Sequence, residues 1–453
     1  MARIRTPIAV NELLRQLPSS EWLPLMDKYK VTDTNGDYLH WDKFKWRVEK
    51  GDNEQAAWLA TKLARKSVAK IIPELYGKDK TERFHYSVPD SLYAKLHYID
   101  KITGGGHALG DAGFVSGQEK DRYLVKSLMM EEAITSSQLE GAATTRKVAK
   151  EMLISNRPPQ DKSEQMILNN YLLMKKVFEK KDEVLTVDLL LELHKIATYN
   201  AIDNNAVPGE LRTTNDISIR NRYNETAHQP PGYTTLKTRL AELCLFANKA
   251  SDSQHSDQFM HPLLKAIILH FMLGYIHPFG DGNGRTARAV FYWSMLRSGY
   301  WLFEFVSISK LIQEKRGDYD TAFIYTETDE LDLTYFLYNQ VIIVVKAVDA
   351  LQQYILHKKT EFHHFKQWAE QNPLARKLKT IQLELLKEAV QEPGKIFTAR
   401  QVSAAFDITE NTARSYLNGL VNYNLLALSK ARQGKGMLYI APRNLQDKLR
   451  PEK

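Results

Sequence analysis

Cysteine is nearly absent. Cys244 is the only one in 453 residues, so no intramolecular disulfide can form and a cysteine-built metal centre has too few ligands. That usage suits a reducing compartment, and a cytoplasmic location is expected. Cys244 itself lies in LAELCLFANKA and reads as a buried small hydrophobe. No run of eighteen or more uncharged apolar residues occurs, so no membrane span is expected. The first residues, MARIRTPIAVNELL, lack a continuous apolar core and a small-residue cleavage site, so no signal peptide is expected. Glycines cluster at 104–106, 110, 113 and 117. No Lys-Ser/Thr follows them and no convincing strand precedes them, which excludes a Walker loop and leaves a surface connection. Protein-kinase signatures are missing too. Nor is charge of one sign in large excess. The net +8 and pI near 9.1 are compatible with an anionic partner, but for this length read first as a solvated basic surface.

What is present is ordinary globular composition, 43% hydrophobic and 26% charged, with length for two or three domains. Boundaries are expected near 95, 350 and 376. Residues 1–95 are rich in aromatics, with a helix expected over 54–71, and carry no chemical motif, so they read as an accessory helical region. Further helices are expected over 118–140, 162–181 and 187–199. Residues 201–233 hold Asn, Thr, Gly and Pro with a β-like piece at 217–219, the pattern of an irregular lobe or hairpin. His261-Pro262 opens another helix, whose Leu264, Ile267, Ile268, Phe271 and Tyr275 recur at helical spacing.

Residues 277–288, HPFGDGNGRTAR, are the most informative. Gly282 and Gly284 free the backbone to approach a ligand. The loop runs into a helix start near Asn283, where free N–H groups and the helix dipole favour an anion. Arg285 and Arg288 are three apart, so both guanidiniums face one side and suit phosphate. Asp281 is a hard oxygen ligand for a phosphate-bound Mg²⁺. Asn283 adds a neutral donor and acceptor, and His277 has the ionisation of a general base at neutral pH. Together these describe a magnesium–polyphosphate site beside an activated hydroxyl. A turn joining two helices would not need so many glycines, each of which loses entropy on folding.

The stretch resembles the signature of the Fic family, H-x-F-x-[D/E]-G-N-G-R-x-x-R, at every defined position, and the resemblance extends over about 118–345. It implies a mainly α fold: a helical Fic-type catalytic domain at 96–350 with a small β-hairpin flap. It further implies transfer of AMP from ATP to a Ser, Thr or Tyr hydroxyl of a target protein, with release of pyrophosphate and Mg²⁺ as cofactor. By position, His277 would take the hydroxyl proton and Asp281 would hold the metal. Gly280, Gly282, Asn283, Gly284 and Arg285 would surround the phosphates, and Arg288 would reach the γ-phosphate. Residues 217–233 fall where the family's target-docking flap lies. Tyr319 resembles a position lining the adenine pocket, with Tyr325 six residues on. A homodimer is implied by the same likeness.

Ser136-Ser137-Gln138-Leu139-Glu140-Gly141 matches the family's short inhibitory pattern, [S/T]-x-x-x-E-[G/N]. Alone the pattern is common, and Gly141 is an ordinary helix stop. Beside an intact motif it implies that Ser136, Glu140 and Gly141 form a brake, with Glu140 competing for Arg288. The same glutamate is compatible with the reverse reaction, removal of AMP, and the sequence leaves that balance open.

After a linker helix at 351–376, residues 377–453 read as helix, helix-turn-helix and hairpin, resembling a winged helix-turn-helix. Thr409 would cap the recognition helix. Arg414, Ser415 and Asn418 would be exposed on it, and Lys430, Arg432 and Lys435 would lie on the wing. DNA binding and protein docking both stay open. Two alternatives to an autoinhibited adenylyltransferase therefore remain: a DNA-binding regulator whose Fic unit senses nucleotide, and a Fic transferase using another donor.

Overall fold

The computed structural model describes the chain apart from residues 1–3, 104–117, 203, 205, 221–225, 250–258, 372–376, 392–393, 434–435, 443 and 446–453. The glycine cluster at 104–117 and the break expected at 372–373 lie outside the described residues. Two compact units emerge. The first comprises 1–109, 131–143 and 161–348, the second 110–130, 144–160 and 349–453. The structure is mainly helical, with three small sheets among the described residues.

The first unit is built around two helices, Pro262–Ile276 and Asn283–Arg297, that pack against each other on either side of the motif loop. Thirteen of the fifteen residues are buried in each, so the pair is enclosed all round rather than on one face. This explains why the first carries almost no polar residues: a helix covered on every side has no solvent face to decorate. Helices Lys162–Glu179 and Val187–Thr198 cover the second motif helix, and Leu236–Asn248 covers the first. In Leu236–Asn248 the Cys244 thiol is buried and pushed up to about 12 by that burial, an inert hydrophobe as expected. The long helix Thr334–Gln371 includes a stretch, Thr334–Tyr354, apolar and long enough by composition to cross a membrane. Some 61% of that window is buried within the protein, which is how a core helix looks.

The N-terminal segment departs from expectation at one point. The helix expected over 54–71 ends at Val68, and Lys70–Tyr76 is a strand paired antiparallel with Arg83–Tyr86. Pro73 is the reason, since it removes a helical donor and pushes the preceding residue toward extended backbone. Asn53 caps the helix start through bonds from Gln55 and Ala56 amides. A short hairpin, Ile219–Arg220 with Thr226–His228, forms within the irregular lobe.

The second unit has its own apolar core, including Leu385, Phe397, Leu417, Leu420 and Tyr439. Helices Thr380–Gln391, Ala399–Phe406 and Glu410–Asn422 pack with a three-stranded sheet ordered Ile396–Phe397, Gly436–Ile440, Ala427–Gln433. Thr398 and Gln401 close a capping box, Asp407 turns the chain with φ +53, and Thr409 caps the next helix. Arg414, Ser415 and Asn418 are exposed, with Asn418 Oδ1 accepting from Tyr439 Oη at 2.8 Å. The side chains of Lys430 and Arg432, and Lys435 altogether, fall outside the described residues.

Within the first unit, Lys62 Nζ lies 2.8 Å from Asp329 Oδ1, and both side chains are 2% exposed. Lys62→Met keeps the bulk but leaves Asp329 charged and buried. Unfolding by urea should show a loss of about 3–5 kcal/mol.

Candidate functional site

His277 ends the first motif helix in left-handed backbone, φ +47, and its amide still donates to Leu273 O at 3.0 Å. Its Nδ1 lies 3.3 Å from the Gly274 carbonyl. A carbonyl can only accept, so Nδ1 carries the proton and Nε2 keeps the lone pair. Burial lowers the imidazole to about 4, opposed by the Gly274 bond and reinforced by the charges of His228 and Arg212. His277 is therefore neutral at pH 7, the state a proton acceptor needs.

The loop after it is held by groups that the motif does not contain. His194, on Val187–Thr198, stacks flat on Phe279 with ring centroids 3.7 Å apart. Gly209 N–H donates to its Nδ1 at 3.0 Å, so Nε2 bears the proton and donates to Asp281 O at 2.9 Å. Burial lowers this imidazole too, to about 4. Arg212 ties the lobe to the loop. Its Nε donates to His277 O at 2.9 Å, its Nη atoms to Thr214 O at 2.8 Å and to Pro231 O, and its amide to Pro278 O at 2.9 Å. Neither residue was singled out from sequence. His194 sits in the apolar helix LLLELHKIA and Arg212 in a Thr- and Asn-rich segment, and no spacing marks either one.

Asn283 does less for a ligand than expected. Its Oδ1 accepts from Phe279 N at 3.0 Å and its Nδ2 donates to Phe279 O at 2.8 Å, so both ends of the amide close the loop on itself. Gly282 likewise gives its amide to Asp281 Oδ1 at 2.5 Å. Gly282 has φ +76, and a Cβ there would meet the His194 ring and Thr198. Any side chain would disturb both the backbone and the loop's support. Gly280 O accepts from Asn204 Nδ2 at 3.0 Å.

The two arginines differ in what they have been given. Arg285 is 1% exposed. Its Nη1 donates to Ala197 O at 2.6 Å and its Nη2 lies 3.5 Å from Asp281 Oδ1, yet Nε and Nη2 have no hydrogen-bond partner. Burial lowers this guanidinium, with Asp281 and Glu140 opposing. A buried guanidinium with idle donors beside a helix start fits a phosphate group, which supplies the missing acceptors. Asp281 is about a third exposed, and one carboxylate is what Mg²⁺ asks of a protein when phosphates and water complete its shell. Among the described residues no cluster of three His, Cys, Asp or Glu competes for that role.

Arg288 is occupied. Its Nε donates to Ser136 Oγ at 2.9 Å, and its Nη2 to Ser136 O at 3.1 Å and to Glu140 Oε1 at 2.9 Å. Helix Gln118–Leu139 ends just before Glu140, and Gly141 turns with φ +97. A Cβ on Gly284 would run into the Glu140 carboxylate. The glutamate thus rests on the bare start of the motif helix, where an anion belongs. Burial pushes the Glu140 carboxyl up, but the charge and hydrogen bond of Arg288, with Arg285 and Arg316 behind them, reverse this and hold it below the usual carboxylate value.

Tyr319 lies close enough to feel Arg288 and Glu140, and its hydroxyl is 3.0 Å from His270 Nε2. Tyr325 is not part of the site. It stacks on His40 at 4.0 Å and joins Tyr38 and Tyr335 in an aromatic cluster.

Among the described residues, four histidines resist protonation: the buried His40 and His194 and the half-buried His277 are lowered to about 4 and the buried His270 to about 3, loss of solvation being the main cause in each. An unfolded chain takes these protons near pH 6.5, the folded one only near their lowered values. The unfolded state therefore binds more protons between them, and stability falls as pH drops through that window. Urea unfolding between pH 7 and 4 should show a decline of up to about 1.4 kcal/mol per pH unit for each histidine.

Residues 184–295 match the model of the Fic/DOC family. The chain is 34% identical over 118 residues to the protein adenylyltransferase Fic of Drosophila ananassae, covering 26% of this chain and 20% of that protein. It is 32% identical over 124 residues to the protein adenylyltransferase fic-1 of Caenorhabditis briggsae, covering 27% and 22%. It spans about a fifth of the length of these curated relatives. Among solved structures it is similar to a Fic family protein from Desulfovibrio desulfuricans (TM-score 0.49, 17% identity, 78% of this chain and 97% of that one). Another is a Fic domain containing signaling protein from Bacteroides thetaiotaomicron (TM-score 0.43, 16% identity, 59% and 96%).

Proposed function

We propose that this chain, which carries a Fic/DOC-family domain at residues 184–295, moves AMP from ATP onto a serine, threonine or tyrosine hydroxyl of a protein, and that Glu140 holds the reaction back. The observation that carries this reading is an anion slot already filled by a carboxylate. Arg285 has idle donors, Arg288 is bound to Glu140 at 2.9 Å, and the Glu140 carboxylate rests on Gly284 at the helix start.

The attacking hydroxyl forms a bond to the α-phosphorus, and the bond from that phosphorus to the bridging oxygen breaks, so pyrophosphate leaves. The hydroxyl proton passes to His277 Nε2. Arg285 stabilises charge on the inner phosphates as it builds. Asp281 would hold the magnesium that arrives with the triphosphate, which neutralises part of the leaving group's charge. Arg288 would hold the outer phosphate when Glu140 releases it. While Glu140 keeps that guanidinium, the nucleotide sits out of line for attack. A misplacement of roughly 1 Å costs on the order of a hundredfold in rate. The paired strands Ile219–Arg220 and Thr226–His228, on the lobe that Arg212 ties to the loop, are suited to receive the target segment along their edge. We read the sheet and three helices of the second unit as a winged helix-turn-helix, with Arg414 and Ser415 the side chains it would offer to DNA.

Incubation with ATP labelled at the α- or the γ-phosphate separates this chemistry from others. Label should reach protein from the α position alone. Glu140→Gly should raise it by about a hundredfold, and His277→Ala in that background should lower it by at least about a hundredfold. Label from the γ position, or none in any variant, would overturn the reading.

A further inference from the structure

The helix that leads into Glu140 is gripped at a second point, away from the reacting groups. Glu132, 3% exposed, precedes Ser136 by four residues and Glu140 by eight, so the three lie along one ridge. Its Oε2 accepts from Ser307 Oγ at 2.7 Å and from the Ser309 amide at 3.2 Å, and its Oε1 from Ser309 Oγ at 2.5 Å. Thr135 Oγ1 adds a 3.4 Å contact to Ser307 Oγ. On the facing helix, Tyr292 follows Arg288 by four residues. Its hydroxyl donates to Val306 O at 3.0 Å and accepts from Ile308 N at 3.0 Å. The ridge Glu132, Ser136, Glu140 therefore meets the ridge Arg288, Tyr292, with residues 306–309 closing the far end.

A carboxylate buried this completely is costly unless fully bonded. The helix does not need it for adhesion, because Ala133 and Ile134 are already in the core and Asn170 Nδ2 donates to Ala133 O at 3.2 Å. What three directional bonds supply, and apolar contact does not, is register along the helix axis. Register is what Glu140 requires. A slide of about 1 Å would stretch a 2.9 Å bond beyond hydrogen-bonding range.

We propose that Glu132 is a positioning residue for inhibition: its clasp on Ser307 and Ser309 sets the helix so that Glu140 meets Arg288. Loosening the clasp then releases the brake while leaving the catalytic loop untouched. This rests on the reading of Glu140 as inhibitor.

The test measures AMP transfer from α-labelled ATP by Glu132→Ala and Ser309→Ala, each with Glu140 present and in the Glu140→Gly background. With Glu140 present, both should raise transfer by about tenfold, the scale of losing one charged hydrogen bond. In the Glu140→Gly background neither should change it more than about twofold, since there is no brake left to release. A merely structural role would lower transfer in both backgrounds, and that result, or no rise with Glu140 present, overturns the proposal. Ser309→Ala removes a single hydroxyl and keeps the test sound if Glu132→Ala folds poorly, which thermal melting reports. The Glu140→Gly protein alone judges the inhibitory reading: no rise over wild type sinks that reading and this proposal with it, whereas a rise there with flat clasp variants sinks only the proposal.

Discussion

Arg288 can serve one anion well at a time, and most of the site is arranged around that fact. Its guanidinium is buried, so its charge must be matched, and in this state the match comes from Ser136 on another helix and Glu140 just beyond that helix's end. The carboxylate and a nucleotide's outer phosphate make the same demands: negative charge, acceptor oxygens, and approach to the bare start of a helix. On the proposed reading, inhibition by a side chain of the same chain is a competition between like ligands. Its strength is set by how well the rival carboxylate is held.

Around this arginine, the supports closest to the loop's own backbone are uncharged, with Arg212 the charged exception. His277 and His194 are kept neutral by burial, each with its tautomer chosen by a backbone partner. Asn283 spends its amide on Phe279. Neutral supports leave the field at the helix start to Arg285 and Arg288 and to the carboxylates they face, Asp281 and Glu140. They also make the loop rigid before any ligand arrives, which is the condition under which electrostatic stabilisation of a transition state is most effective. Arg212 extends the same rigidity outward by binding carbonyls on the loop and on the lobe that carries the hairpin.

Much of this was legible in the residues and some was not, for identifiable reasons. The helix stop at Gly141, the cap at His261, the helix start at Asn283 and the Thr409 cap all follow from short-range chemistry, and each is found where that chemistry puts it. The strand at Lys70–Tyr76 overlaps the end of the helix expected over 54–71, because its pairing with Arg83–Tyr86 is a long-range contact that the local residues do not announce. Tyr325 was set beside Tyr319 by counting along a helix, but the two side chains go to different clusters.

The sequence by itself determined the chemistry on offer: a histidine, one hard carboxylate, two arginines and a glycine turn, in an order that follows from local backbone demands and so survives without knowledge of the fold. Only the tertiary structure decided which of these are free. That Arg285 has idle donors while Arg288 is already bonded to Ser136 and Glu140, that Asn283 turns both ends of its amide onto its own loop, and that Glu140 and Glu132 lie against groups 148 and 177 residues away are consequences of packing. Hydrogen bonds are saturable and short, so partners brought together across the chain settle what each side chain has left to give.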